Sequence, residues 1–351
     1  MATIILTGGG SAGHCTPHLA VLPYLKDKFD KIYYIGSENG IEKSIVSKAK
    51  IPYFSIPCVK LKREFTLSNL KIPFTLHKGI KSAEKLIDKL KPDIIFSKGG
   101  YVSLPVVLAA KKRKIPVIAH ESDYTVGLAN KISSRYCKKV LTSFPETAKN
   151  LKNGIYVGSP IRKKDDTLSK EKLYEYFGFK KIKPVILVTG GSLGAKKINE
   201  VLRNSLKELL KDYNILHICG KNNKVKNIYG EGYSQFEFVD KMDYAFLISD
   251  ACISRAGSNA VFELLSEKIP TLLIPLPKAA SRGDQILNAK YFTAKGLTSM
   301  IYQEDLTPES LIYNVNLLIK AKEEIKKRIS AAKIEDKSKV IAQFLLNECK
   351  R

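Results

Sequence analysis

The sequence predicts an α/β protein built as two Rossmann-like domains, each a parallel sheet wrapped by helices. Three observations carry this. Short apolar, β-rich runs recur along the whole chain with helical patterns between them, the signature of parallel strands joined by helical crossovers. The run Leu6-Thr7-Gly8-Gly9 returns as Val188-Thr189-Gly190-Gly191, each copy after an apolar run and before a helical one. The length, 351 residues, fits two domains at roughly 150 residues each.

The elements follow in order. In the first half, residues 3–6, 32–35, 93–96, 117–119 and 140–142 read as strands. In the second half, 184–188, 215–218, 237–239, 251–253 and 271–274 do so. Residues 41–49, the turns leading into 86–90, 196–210 and 259–267 space their apolar side chains as helices do. The boundary falls at Gly158-Ser159-Pro160, before the polar stretch 163–172. The expected domains are therefore 1–158 and 159–333, with 334–351 an amphipathic helix after a charged linker.

Composition narrows the class. Hydrophobic residues at 44% and charged residues at 26% supply an ordinary core and exclude a disordered or collagen-like chain. No apolar run approaches the ~18 residues a membrane-crossing helix needs. The N-terminus enters a glycine loop at once and lacks a signal-peptide pattern, so a cytoplasmic location is expected. The six cysteines show no CxxC and read as reduced thiols rather than as disulfides or a zinc site. The formal charge of +25 attracts anions: phosphate ligands, nucleic acid or an anionic membrane. Only nine of the 59 basic residues are arginine and the lysines are spread throughout, so the location of the charge says more than its total.

Gly8-Gly9-Gly10-Ser11-Ala12-Gly13 matches GxGxxG, in which glycines admit a ligand close to the backbone and the next helix points its positive end at phosphate. A dinucleotide reading also wants an acid at the end of the second strand, where Glu38 is available, but His14 at the mouth of the loop has no place in such a site. Gly190–Ala195 and the loop 99–103 are further glycine loops at expected strand ends; three together favour a ligand crevice between two domains. Arg162 at the hinge could grip a diphosphate or be a surface arginine. Glu263, about a turn inside a helix, could hold two ribose hydroxyls or be a solvated carboxylate. His14, His18 and His120 follow strands and could each serve as a base or as a structural hydrogen-bonder, whereas His77 and His217 read as structural. The chain has no Asp-x-Asp, P-loop or HExxH, which disfavours a metal-bridged diphosphate, a P-loop kinase and a zincin. Residues 57–82 carry a net +5 interleaved with Leu61, Phe65, Leu67, Leu70, Ile72, Phe74, Leu76 and Ile80, a pattern suited to an anionic bilayer surface or to a loop and helix with a solvated basic face.

Residues 8–14, 99–105, His120-Glu121, 158–162, 190–195 with Asn199, 255–263 and 284–289 resemble, in this order and over nearly the full length, the MurG family of bacterial peptidoglycan N-acetylglucosaminyltransferases, of the low-GC Gram-positive type. The resemblance implies a GT-B fold: two Rossmann-like parallel-sheet domains facing across a cleft, with the C-terminal helix crossing back to the first. It implies an inverting transfer of GlcNAc from UDP-GlcNAc to the C4 hydroxyl of the muramyl sugar of lipid I, giving lipid II. No metal and no cofactor are expected. It implies a peripheral enzyme on the cytoplasmic membrane face, held to anionic lipid through residues 57–82, with cell-wall synthesis proteins as possible partners and no nucleic acid.

Carried onto this sequence, the resemblance makes His14 the candidate base. Ser11 and Gly13 would lie by the diphosphate. Arg162 and Ser192 would contact phosphate, and Met242 the uracil. Ser258 and Asn259 would offer a helix N-terminus, and Glu263 would hold the ribose. Gln285 and Asn288 would face the GlcNAc hydroxyls. Gly99, Gly100, Tyr101, Ser103, His120 and Asp123 would form the acceptor or sugar side. Asp123, Leu193 and Asp284 depart from the family's usual Asn, Gln and Gln. The rival readings are a diacylglycerol glucosyltransferase or UDP-GlcNAc 2-epimerase on the same fold, and a basic nucleic-acid-binding protein, which the glycine loops and the lack of an aromatic–basic RNA motif disfavour.

Overall fold

The computed structural model describes residues 2–59, 72–162, 168–191, 193–226, 230–279 and 281–349. The chain divides into two compact units, Met1–Arg162 with Glu335–Arg351, and Lys163–Ile334.

In unit 1, strands and helices alternate: β1 (Thr3–Thr7), α1 (Thr16–Lys26), β2 (Lys31–Ser37), α2 (Ile41–Lys48), β3 (Tyr53–Ile56), α3 (Ile72–Leu90), β4 (Ile94–Ser97), α4 (Ser103–Lys112), β5 (Val117–Glu121), α5 (Leu128–Ser133), β6 (Lys139–Thr142), α6 (Pro145–Lys149) and β7 (Gly154–Tyr156). The sheet is parallel throughout, in the order β3-β2-β1-β4-β5-β6-β7. Alternate residues of β1 feed two cores. Ile4 and Leu6 join Val21, Leu25, Ile94 and Phe96, whereas Ile5 joins Ile95, Ala83, Ile87 and Val106. Both faces are covered, which is why the strands read as unbroken apolar runs.

Unit 2 repeats the plan: α7 (Lys170–Tyr176), β8 (Val185–Thr189), α8 (Lys196–Asp212), β9 (Asn214–Ile218), β10 (Tyr233–Phe236), α9 (Met242–Ile248), β11 (Ala251–Ser254), α10 (Ser258–Ser266), β12 (Thr271–Leu273), α11 (Asp284–Ala294), β13 (Ser299–Met300), α12 (Pro308–Lys320) and α13 (Lys322–Ala331). Its sheet is also parallel, ordered β10-β9-β8-β11-β12-β13. The last helix, α14 (Ser338–Cys349), belongs to unit 1, where it packs on α1 and buries Ile341 and Leu345 completely. Burial of two such side chains is worth about 1.5–3 kcal/mol each.

The two units share a device that the sequence did not advertise. The residue before the fourth strand of each unit is an aspartate that clamps the first strand. Asp93 donates its N–H to the Thr3 carbonyl (2.9 Å) and accepts the Thr3 N–H on its carboxylate (2.7 Å). Asp250 does the same to Val185, at 2.9 Å in both directions. The clamp sets the register of the two central strands.

The strand expected at 237–239 forms instead at Tyr233–Phe236. Side-chain bonds set this register: the Tyr233 hydroxyl meets His217 Nδ1 (2.8 Å), and Gln235 accepts from Arg203 (2.8 Å). β3, β7 and β13 were not expected at all; they lie at or next to sheet edges, and each has at most one buried residue.

Replacing Asp93 or Asp250 with Ala is expected to cost about 1–3 kcal/mol by stranding a partly buried N–H. Chemical denaturation reads the change, and unaltered midpoints in both variants contradict the clamp.

Candidate active site

In each sheet the strand order reverses between the first and fourth strands, at β1–β4 in unit 1 and β8–β11 in unit 2. Crossovers leave such a pair in opposite directions, so the carboxyl ends of these strands border a crevice. The glycine loops sit there: 8–14 after β1, 98–102 after β4, 190–195 after β8 and 255–257 after β11.

In unit 1 the two loops touch. Gly100, at φ +79°, lies so close to the first loop that a Cβ would come within 2.2 Å of the Gly9 carbonyl and 3.3 Å of His14 Nδ1. The Tyr101 ring closes over Gly10, where a Cβ would meet it at 2.5 Å. Ser103 ties the second loop shut through its hydroxyl to the Gly100 carbonyl (3.0 Å). Ser11 is exposed, and its hydroxyl lies 2.9 Å from His14 Nδ1. The structure therefore gathers Ser11, Gly13, His14, Gly100 and Tyr101 on one patch.

The carboxylate that meets the first loop is Glu42, not Glu38, which is exposed beyond β2. Glu42 is fully buried at the start of α2 and accepts from the Gly10 N–H (3.2 Å), the Ser37 N–H (3.1 Å) and the Ser37 hydroxyl. This loop is thus braced by a buried acidic side chain.

Beneath the loops is a buried polar cluster. Lys98 is 2% exposed, and its ammonium donates to His120 Nδ1 (2.6 Å) and to the Ser122 hydroxyl (2.6 Å). His120 Nε2 donates to the Gly158 carbonyl (3.1 Å), so its proton sits on Nε2 and the ring is neutral. Glu121 accepts from the Asp123 N–H (3.1 Å), the Gly127 N–H (2.9 Å) and Asn130 (2.9 Å). Burial pushes Lys98 down to about 7 and the Glu121 acid up, with the Asp123 charge pushing Glu121 the same way. His120 belongs to β5 rather than to a turn, and it has no open face. His18 lies inside α1, edge-on to Tyr34 and Phe96, and burial pushes it down to about 3. Of the three candidate histidines, only His14 is accessible. His77, expected to be structural, is exposed on α3.

In unit 2, α10 begins with buried Ser258 behind Gly257, and α11 begins with Asp284 behind Gly283; among the described residues neither helix receives a side-chain cap. Their first N–H groups are available to an anion. Asn259 and Glu263 are half-buried one turn apart on α10. Gln285 and Asn288 both brace loops: Gln285 accepts from the Leu276 N–H (3.0 Å), and fully buried Asn288 donates to the Ala256 carbonyl (3.1 Å). Arg255 anchors the same region by donating to the carbonyls of Ile274 (3.0 Å) and Pro275 (3.3 Å) and to Gln303 (2.6 Å). Met242 opens α9, and Arg162 is exposed at the end of its unit. Ser192 lies outside the described residues. Among the described residues no group of three or more His, Cys, Asp or Glu is placed to hold a metal ion.

Known proteins share this plan and these motifs. The glycosyltransferase family 28 N-terminal domain matches residues 4–142, and the family 28 C-terminal domain matches 185–344. A protein of Bacillus thuringiensis named UDP-N-acetylglucosamine--N-acetylmuramyl-(pentapeptide) pyrophosphoryl-undecaprenol N-acetylglucosamine transferase 3 is 52% identical, covering 91% of this chain and 92% of its own. The chain belongs to the MurG family. A Bacillus cereus MurG relative, of the same name but numbered 2, is 49% identical over 98% of this chain and 99% of its own. Among solved structures, Acinetobacter baumannii MurG superposes with a TM-score of 0.77 at 26% identity, covering 99% of this chain and all of that one. The fold is therefore GT-B. A UDP-GlcNAc 2-epimerase of Neisseria meningitidis, 15% identical with a TM-score of 0.67 over 99% of both chains, shares the fold alone.

Sequence reading passed over Glu42, Lys98 and Asn130. The available signal was a charged or amide residue beside a glycine turn in an otherwise apolar setting, a weak one without coordinates.

Gly100→Ala is expected to cost about 1–3 kcal/mol from the positive φ alone. It should also open the contact between the two loops. A lowered melting temperature with faster proteolysis near residues 8–14 is the expected result, and wild-type behaviour contradicts the packing.

Proposed function

We propose that the chain transfers GlcNAc from UDP-GlcNAc to the C4 hydroxyl of the muramyl sugar of lipid I, giving lipid II, with inversion and without a metal. The observation that carries this reading is near-full-length similarity, at about half identity, to relatives named for that transfer.

The chemistry is a single displacement. His14 takes the proton of the acceptor hydroxyl as its oxygen bonds to the anomeric carbon. The bond from that carbon to the diphosphate oxygen breaks, UDP leaves with the electron pair, and the anomeric centre inverts. With Nδ1–H donated to the Ser11 hydroxyl, the basic lone pair sits on Nε2. The departing negative charge falls to the uncapped N-termini of α10 and α11 and to Arg162 and Ser192. Ser258 and Asn259 present the α10 N-terminus to the phosphates or sugar, Glu263 holds the ribose, Met242 the uracil, and Gln285 the sugar. Asn288 acts by bracing the Ala256 turn. Gly99, Gly100, Tyr101, Ser103 and Asp123 shape the acceptor side in unit 1, with His120 supporting them from below.

The enzyme works at the cytoplasmic membrane surface. No helix among the described residues is long and apolar enough to cross a membrane. Within the basic segment 57–82, residues 60–71 lie outside the described ones, but α3 presents Lys78, Lys81 and a 74%-exposed Phe74 outward. A basic and apolar helix face of this kind suits anionic lipid.

Labelled-sugar transfer to a lipid I analogue in EDTA tests the reaction. Product from UDP-GlcNAc, and none from UDP-glucose or UDP-GalNAc, is expected; no product from UDP-GlcNAc contradicts the reading. His14→Ala should lower kcat by at least about 100-fold with little change in the donor KM. Lys78→Gln combined with Lys81→Gln should weaken binding to anionic vesicles by about thirtyfold, since each basic residue near such a surface adds about 1 kcal/mol. Undiminished binding excludes α3 as the contact.

A further inference from the structure

A buried lysine is an expensive residue to keep: its ammonium loses water, and only close partners offset that loss. Lys98 is 2% exposed at the end of β4, directly before Gly99. It contributes no apolar side chain to either core of unit 1. Its ammonium bridges strand ends instead, reaching His120 Nδ1 at the end of β5 and the Ser122 hydroxyl just past it, both at 2.6 Å. From there the chain of bonds runs two ways. His120 continues to the Gly158 carbonyl at 3.1 Å, four residues before the end of this stretch of unit 1. Ser122 leads into Asp123, whose N–H is fixed by Glu121 at 3.1 Å. On the other side, a Cβ on Gly8 would lie 3.2 Å from Lys98 Cβ, so the stem of the lysine also floors the first glycine loop. One side chain thereby contacts two of the segments that line the end of the sheet, and through His120 it reaches a third.

We propose that Lys98 is a positioning residue for the acceptor: its ammonium locks the His120–Asp123 turn to the end of β4 and so sets the shape of the surface that receives the acceptor sugar. The inference rests on the transfer reaction proposed above. Lys98 touches no reacting atom. It acts through His120 and Ser122, and its effect falls on acceptor recognition and not on the donor, whose proposed contacts on α9, α10 and α11 lie in unit 2. The titratable groups facing it are His120 and Glu121 on β5, Asp123 beyond β5, and His18 on α1. Burial and the Lys98 charge push both histidines far down, so they stay neutral near pH 7. Burial has brought the Lys98 ammonium down to about 7 against the pull of Glu121 and Asp123.

The test is steady-state kinetics of the full-length protein with a lipid I analogue and UDP-GlcNAc, comparing wild type with Lys98→Met and with Ser122→Ala, which keeps the cation but removes one of its acceptors. Loss of charged hydrogen bonds in Lys98→Met should raise the acceptor KM about tenfold or more while the donor KM stays within about twofold. Ser122→Ala should shift it the same way by a smaller factor, and it decides the matter if Lys98→Met does not fold. The wild-type acceptor KM should also climb between about pH 6 and pH 8.5 as the ammonium deprotonates, and that climb should be absent from Lys98→Met. An unchanged acceptor KM in the folded variants, or equal shifts for both substrates, overturns the assignment and leaves the transfer reaction standing. Failure of the wild type to use lipid I overturns the reaction itself and this inference with it.

Discussion

One constraint places the glycine loops: neighbouring strands run parallel, and their order reverses at β1–β4 and at β8–β11. Parallel strands put all their carboxyl ends along one edge, and the reversal separates the two loops that leave the central pair. The glycine motifs fall at these two places because a loop that must turn sharply there, and pack against its neighbour, has no room for side chains. At the opposite edge, Asp93 and Asp250 pin the same two strand pairs with matching double hydrogen bonds. Each crevice is thus held from behind by a carboxylate clamp and shaped in front by glycine.

The two units furnish their crevices differently. In unit 1 the first loop is braced by the buried Glu42 carboxylate, and the floor is a Lys98–His120–Ser122 network with Glu121 beside it. Glu42 already accepts the Gly10 N–H, which suits the proposed place for a neutral hydroxyl and its base. In unit 2 the described N-termini of α10 and α11 have no side-chain cap. The first turn of α10 carries no acidic residue, and a positive helix end of this kind suits the proposed place for a diphosphate.

Much of this was legible in the sequence. Central strands buried on both faces carry continuous apolar runs, and β1, β2, β4, β5, β8 and β11 were found from those runs. Edge strands carry no such run: β10 is half-buried along its length, so its register was read four residues late, and the two-residue β13 gave no signal. The glycine loops and His14 were legible because glycine spacing is a local property. Glu42 and Lys98 were not, since each matters through partners that only folding brings near, as Lys98 meets Ser122 across 24 residues of chain. His120 was legible as important but not as buried, because Val117–Glu121 continues as strand two residues past the apolar run.

Hydrogen–deuterium exchange of the full-length protein, with UDP-GlcNAc alone and then with a lipid I analogue added, tests the central claim that donor and acceptor are read by the strand-end loops of different units. The account predicts that UDP-GlcNAc alone protects residues 190–195, 255–263 and 283–288, and that the acceptor adds protection at 8–14, 99–103 and 120–123. Protection of 8–14 by the donor with none in 255–263 would contradict it.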